Sequence, residues 1–199
     1  WTKLGGSKTN IYGETMDTRT NGKPQRDVNL EDVLERLKGG HILRYHTRPD
    51  CSDGQNVAAH TWRAMVILQT LWPDLSKNAL LHLMYHDIAE SRTGDIPATT
   101  KWDYDRLAVE VAKIEFKYNC ELGVNFPVTD KEKDCCDIAD KLELVFHCQR
   151  MYLRGNYLAG DIIVNGRDYL DHKYRGRPHY DIAKNVLIEL LDNDLNPSE

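Results

Sequence analysis

The apolar run Ala79-Leu80-Leu81-His82-Leu83-Met84-Tyr85 passes directly into His86-Asp87-Ile88-Ala89-Glu90, and this junction constrains the fold more than any other stretch. The run predicts a buried helix on which Leu80, Leu83, Met84, Asp87 and Glu90 share one face. A core-facing stripe with two carboxylates needs something to neutralise them, because burying an unpaired charge is costly. A divalent cation would do so, since carboxylate oxygen and imidazole nitrogen are both good ligands. Two solvated acids at a fraying helix end, with His86 on the surface, fit the same residues. The stretch alone leaves both readings open.

The rest of the chain narrows the setting. Its 199 residues suit one domain with a real core. Hydrophobic content of 41% and charged content of 29% describe an ordinary soluble globular protein. No apolar run reaches the length of a membrane span, and no signal-peptide pattern opens the sequence. Five cysteines (51, 120, 135, 136 and 148) form no C-x-x-C pair, and an odd number argues against a disulfide framework. A reduced, cytoplasmic location is expected. A net charge of −5 argues against a nucleic-acid polymer as partner. A small phosphate ligand held by local arginines is compatible with it.

Residues 1–27 are rich in Gly, Thr, Asn, Lys and Arg without periodicity. They read as a flexible arm, partly vector-derived if Met16 is the native start, ahead of one domain over 28–199. A first helix starts at Asn29, with Leu30, Val33, Leu34 and Leu37 as its apolar stripe, and stops at Gly39-Gly40. A second covers about Asn56 to Leu71, where His60, Ala64, Ile67, Leu68 and Leu71 share a face. Pro73 ends it, and Ser76 or Asp74 caps the helix that carries His86-Asp87. Residues 91–101 read as a loop. A helix over Tyr104–Cys120 turns Leu107, Val111, Ile114 and Tyr118 inward. Thr129 or Asp130 caps the next, whose inward face is Cys136, Asp140, Glu143 or Leu144, His147 and Met151. Residues 155–166 read as a second loop, and Ile182–Leu191 as the last helix. No convincing strand pattern occurs, so the fold class is all-α.

Four polar residues thus fall on core-facing positions of three helices: His60, His86, Asp87 and Asp140. Singly, each has a bland explanation. His60 alone reads as a satisfied core histidine, and Asp140 alone as the partner of a nearby Lys or Arg. Together, two imidazoles and two carboxylates inside a helical bundle have no better partner than a metal ion. The order His60, His86-Asp87, Asp140, with Glu90 one turn on, resembles the HD-domain phosphohydrolase superfamily. The resemblance is closest to its small nucleotidase branch, the bacterial 5′-deoxyribonucleotidases and the phage deoxynucleoside triphosphate triphosphohydrolases. It is carried by Asn56-Val57-Ala58-Ala59-His60-Thr61, His86-Asp87-Ile88-Ala89-Glu90, Thr93-Gly94-Asp95-Ile96-Pro97 and Ile138-Ala139-Asp140-Lys141-Leu142-Glu143. These blocks span about residues 44 to 144.

That resemblance implies a helical bundle in which His60, His86, Asp87 and Asp140 hold one divalent ion (Zn, Co or Mn), with Mg a companion of any triphosphate. It implies Glu90 and Asp95 as the acid–base pair, and Arg44 facing the phosphate. Tyr45 stands where the bacterial enzymes carry a Trp against the deoxyribose. Homo-oligomers are usual in such enzymes. The expected function is metal-dependent hydrolysis of a 2′-deoxynucleotide. The basic residues Arg44, Arg48, Lys101, Arg175 and Arg177, with Arg63 and Lys173, exceed what one phosphate requires, which points to a triphosphate, dATP-like by resemblance to the phage enzymes. Three alternatives stand beside it: a 5′-nucleotidase acting on deoxynucleoside monophosphates, a nucleotide-binding module, and a cyclic-nucleotide phosphodiesterase. Intact Glu90 and Asp95 disfavour the binding module. The phosphodiesterase would need further histidines for a second metal, for which only His46, His82 and His147 are at hand.

Overall fold

Helix α7, Asp130–Leu153, is the axis on which the other helices pack. The computed structural model describes residues 30–45 and 54–193; the expectations for 1–29, for His46, Arg48 and Cys51, and for residues beyond 193 lie outside them. In chain order the helices are α1 Leu30–Lys38, α2 Val57–Leu71, α3 Lys77–Met84, α4 Glu90–Thr93, α5 Ala98–Asp103, α6 Asp105–Leu122, α7, α8 Gly160–Tyr174 and α9 Pro178–Asn193. One antiparallel bridge, Leu43 to Asn56, is the only β pairing among the described residues, so the fold is all-α. None of the described helices is long and apolar enough to cross a membrane.

α7 begins at a capping box: Thr129 accepts from the Glu132 amide, and Glu132 accepts from the Thr129 amide. Along it, Cys135, Ile138, Ala139, Leu142, Val145 and Cys148 are fully buried. α2 and α3 pack on one side of α7, and α8 and α9 on the other. Ala64 and Leu68 of α2, Leu83 of α3, Leu170 of α8 and Leu187 of α9 complete the core. α8 comes close because residue 166 is glycine, where a Cβ would lie 2.9 Å from Val145 Cγ2. Gly39 does the same for the turn after α1, where a Cβ would lie 2.9 Å from Ile88 Cα. That approach leads the segment Ile42–Tyr45 across the His86–Glu90 stretch. Bonds from Val57 N to Ile42 O and from Arg44 N to Gln55 O, both 2.9 Å, then pin the segment to the start of α2.

Several expectations are corrected. α3 ends at Met84, and residues 85–89 are turns, so Asp87 and Glu90 do not continue a stripe of that helix. Met84, placed on the buried face by periodicity, is 45% exposed. The segment read as a loop at 91–101 carries most of α4 and the start of α5, and much of the 155–166 loop is the first half of α8. Its Gly and Asn are tolerated there because α7 supplies the packing. Leu107 and Ile114 are exposed, leaving Val111 and Tyr118 to anchor α6. The apolar stripe of α1 is exposed as well. The four described free cysteines, 120, 135, 136 and 148, form no disulfide.

Candidate metal centre and its cavity

His60, Asp140 and the His86–Asp87 turn meet where α2, α7 and the end of α3 converge. Asn56 caps α2 by accepting from the Ala59 amide at 2.9 Å, which places His60 in its first turn with no exposed surface. Because α3 ends at Met84, the chain folds back on itself and His86 Nδ1 donates to Leu83 O at 2.7 Å. The Nδ1 of His60 donates to the carboxylate of Glu143, which is 1% exposed. Both rings are therefore held from behind, and both Nε2 atoms face the same space.

Asp140 Oδ1 lies 2.8 Å from His60 Nε2 and 3.5 Å from His86 Nε2. Asp87 Oδ2 lies 3.1 Å from His86 Nε2 and 3.7 Å from His60 Nε2. Neither Nε2, though buried, completes an aligned hydrogen bond. Atoms bound tetrahedrally to zinc at about 2.0–2.2 Å stand roughly 3.3–3.6 Å apart, which this cluster approximates. One ligand atom each from His60, His86 and Asp140 lies within 4.8 Å of the others; Asp87 lies outside this group of three, with its Oδ2 3.1 Å from His86 Nε2 and held by Arg44. Two imidazole nitrogens held in the ligating tautomer and two carboxylates form a donor set that fits a single divalent cation.

The electrostatics agree with that fit. Burial opposes ionisation of Asp87, but His86 and Arg44 hold its carboxyl below the usual range. Burial likewise opposes ionisation of Asp140, yet Lys141 and the two histidines hold it low. Burial opposes a charged His86, but the two aspartates pull its pKa well up. A field that holds a proton at His86 also attracts a cation in its place. Arg44 Nη1 donates to Asp87 Oδ2 at 3.0 Å, and Lys141 pairs with Asp140 at 2.5 Å.

Glu90 stands next to this cluster. Burial, then the charges of Asp87 and Asp95, push its carboxyl up to about 9, and its buried Oε2 has no hydrogen-bond partner. Asp95, just past the left-handed Gly94, accepts the Tyr45 amide at 3.0 Å. Tyr45 is the one non-glycine residue with positive φ (58°) among those described, a conformation that costs about 1 kcal/mol or more. Its ring stacks on His147, with centroids 5.5 Å apart.

These groups open into a cavity of about 240 Å³. Its charged end holds Arg44, Asp87, Glu90, Asp95 and Asp140, with Lys101 and Lys141 on the walls. The remaining wall, formed by Ile96, Pro97, Leu144, Ile162, Asn165 and Tyr169, is largely apolar. Nine residues named from the sequence are thus brought together: His60, His86, Asp87, Asp140, Glu90, Asp95, Arg44, Tyr45 and Lys101. Arg175 and Arg177 are not. Arg177 pairs with Asp134, Arg175 approaches Asp171 at 3.5 Å, and neither lines the cavity. Arg177 ties the turn between α8 and α9 to α7, and Arg175 stays at the end of α8. Sequence reasoning assigned no role to Lys141, Glu143, Asn165 or Tyr169. Lys141 and Glu143 flank Leu142 in a quoted block, while Asn165 was hidden by the reading of 155–166 as loop.

Residues 34–118 match the HD domain family, which supports a likeness to the HD-domain superfamily. Solved structures share its fold. The PH0347 protein of Pyrococcus horikoshii is 19% identical, with a TM-score of 0.61, over 81% of this chain and 98% of its own. A conserved hypothetical protein of Pyrococcus furiosus gives 19%, 0.61, 82% and 99%. The cyanophage S-2L HD phosphohydrolase DatZ, bound to dA and one catalytic Zn2+ ion, gives 20%, 0.58, 81% and 95%. No curated protein matches the sequence.

Proposed function

We propose that this chain is a metal-dependent phosphohydrolase of 2′-deoxynucleotides, with a deoxynucleoside triphosphate such as dATP as its preferred substrate. The observation that carries the reading is the convergence of His60 and His86 on Asp87 and Asp140, which line the cavity beside Glu90. The same fold in DatZ, bound to dA and zinc, supports the substrate class.

In this reading the four donors hold one divalent cation, which supplies Lewis acidity toward a phosphoryl oxygen and makes nearby water more acidic. Glu90 accepts the proton of the attacking water at its unpartnered Oε2. Burial and the neighbouring aspartates push its carboxyl up to about 9, so it must be ionised before it can do that work, and a bound divalent cation would favour the ionised form. Asp95, held by the Tyr45 amide, keeps Glu90 electrostatically high and fixes the strained turn that carries Arg44. Arg44 and Lys101 offer donors to phosphate oxygens on the cavity side. Asn165 on the apolar wall offers both a donor and an acceptor to a base.

The placement of Arg175 and Arg177 favours a second reading, a 5′-nucleotidase acting on monophosphates. Without them the cavity retains three cations, Arg44, Lys101 and Lys141, two of which already pair with Asp87 and Asp140. A panel of deoxy- and ribonucleoside mono-, di- and triphosphates, assayed with Zn, Co, Mn and Mg, separates the two. Release of triphosphate or pyrophosphate from a deoxynucleoside triphosphate is expected. Cleavage of monophosphates alone would replace the first reading with the second, and cleavage of neither would remove both.

A further inference from the structure

We propose that Glu143 is a positioning residue that, from the buried side of α7, fixes the His60 ring so that Nε2 is the nitrogen presented to a divalent cation. The inference rests on the metal centre proposed above. A neutral imidazole carries one N–H, and the acceptor behind the ring decides which nitrogen holds it. Here that acceptor is a carboxylate. Glu143 Oε2 accepts a hydrogen bond from His60 Nδ1, Glu143 Oε1 accepts from Gln55 Nε2 at 2.8 Å, and Arg63 Nη1 stands 3.5 Å from the same oxygen. His60 and Glu143 are 0% and 1% exposed, so water does not compete for either group.

A structural role alone does not account for this carboxylate. Its neighbours Leu142 and Val145 are fully buried, and an apolar side chain at 143 would fill the same space without desolvating a charge. What an apolar residue could not supply is an acceptor for Nδ1. The second histidine gives the contrast. His86 is held by a neutral acceptor, the Leu83 carbonyl, which no substitution of that residue removes. The two rings therefore differ as ligands. The charge behind His60 makes its Nε2 the stronger donor to a cation, and that charge can be removed by mutation.

The test measures zinc affinity by competition with a chelator of known affinity, for the wild-type chain, Glu143→Gln and Glu143→Ala. Zinc-loaded protein carrying 15N-labelled histidine is examined by NMR in parallel. Glutamine keeps an acceptor oxygen without the charge, and alanine removes both. The expected order is wild type, then Glu143→Gln, then Glu143→Ala, spread over about 10- to 100-fold in affinity. The expected spectrum shows His60 metallated at Nε2, with a slowly exchanging Nδ1 proton that exchanges fast in Glu143→Ala. Equal affinities across the three chains would overturn the inference and leave the metal centre standing. Wild-type His60 metallated at Nδ1 would overturn it even if neither variant folds. Failure of the wild-type chain to bind zinc would remove the metal centre itself, and the positioning role with it.

Discussion

Gly166→Ala tests how the apolar wall of the cavity is set. A Cβ at 166 would lie 2.9 Å from Val145 Cγ2, against an optimal carbon–carbon separation of about 3.5–4.0 Å. Either α8 retreats by about 0.6 Å or more, or Val145 leaves its rotamer. Val145 is 0% exposed, so that rotation meets packed neighbours. Overpacking of this kind costs about 1–3 kcal/mol. Against it stands the gain of replacing glycine by alanine inside a helix, about 1 kcal/mol. The sum is a net loss of about 0–2 kcal/mol in the wild-type background. With Val145→Ala the obstructing methyl is gone, and Gly166→Ala should stabilise that chain by about 1 kcal/mol. Urea unfolding of the four chains closes a double-mutant cycle with an expected coupling of about 1–3 kcal/mol. Asn165 and Tyr169 lie on the same wall, so KM should rise in Gly166→Ala and recover in the double variant. Stabilisation of about 1 kcal/mol in both backgrounds would refute the close approach of α8 to α7.

Other outcomes follow from the same geometry. Glu90→Gln should retain the metal and lose about two to four decades of kcat; loss of metal instead would make Glu90 a ligand. Because Glu90 must give up its proton to act as a base, wild-type kcat/KM should climb with pH. The limb should lie above the ordinary glutamate value of 4.5 and at or below about 9, since the added cation favours the ionised form. Arg175→Ala and Arg177→Ala should leave KM for the triphosphate within about twofold, as their partners are Asp171 and Asp134; a tenfold rise would return them to the substrate. Thr129→Ala should cost about 1 kcal/mol in urea unfolding through loss of the cap of α7. Hydrogen bonds from Ser76 and Thr129 hold the Glu132 carboxyl at about 2, so the wild-type chain should shed this contribution as pH falls from 4.5 toward 2. A flat profile there would remove Glu132 from the account.

Much of the site was legible because its chemistry violates the periodicity around it. His60 and Asp140 occupy core positions of otherwise apolar helices, and such positions demand a partner that the sequence could name. Helix starts were legible for a related reason: Ser76 and Thr129, each one of two candidates, cap their helices, and Asn56, where the second helix was expected to begin, caps that one. What was not legible depended on tertiary contact. The turn at residues 85–89 replaces a helix whose pattern continues unbroken, and there Leu83 O accepts from both the ring and the amide of His86. α8 begins in a Gly- and Asn-containing stretch that local propensity disfavours, and its close seat on Val145 needs the glycine. Glu143 was visible as a residue of the inward face, but its link to His60 joins residues 83 apart in sequence. Arg175 and Arg177 were assigned by charge alone, and charge does not tell a phosphate clamp from one pair within the end of α8 and one salt bridge to α7.

The central claim is that His60, His86, Asp87 and Asp140 form one divalent-metal centre on which phosphate-ester hydrolysis depends. Elemental analysis of the purified chain and its Asp140→Ala variant, each stripped with a chelator, reloaded with zinc and assayed for nucleotide hydrolysis, tests it most directly. One ion per wild-type chain is expected, with activity lost on stripping and restored by about one equivalent, and neither metal nor activity in Asp140→Ala. Full activity in the stripped Asp140→Ala protein would contradict the account.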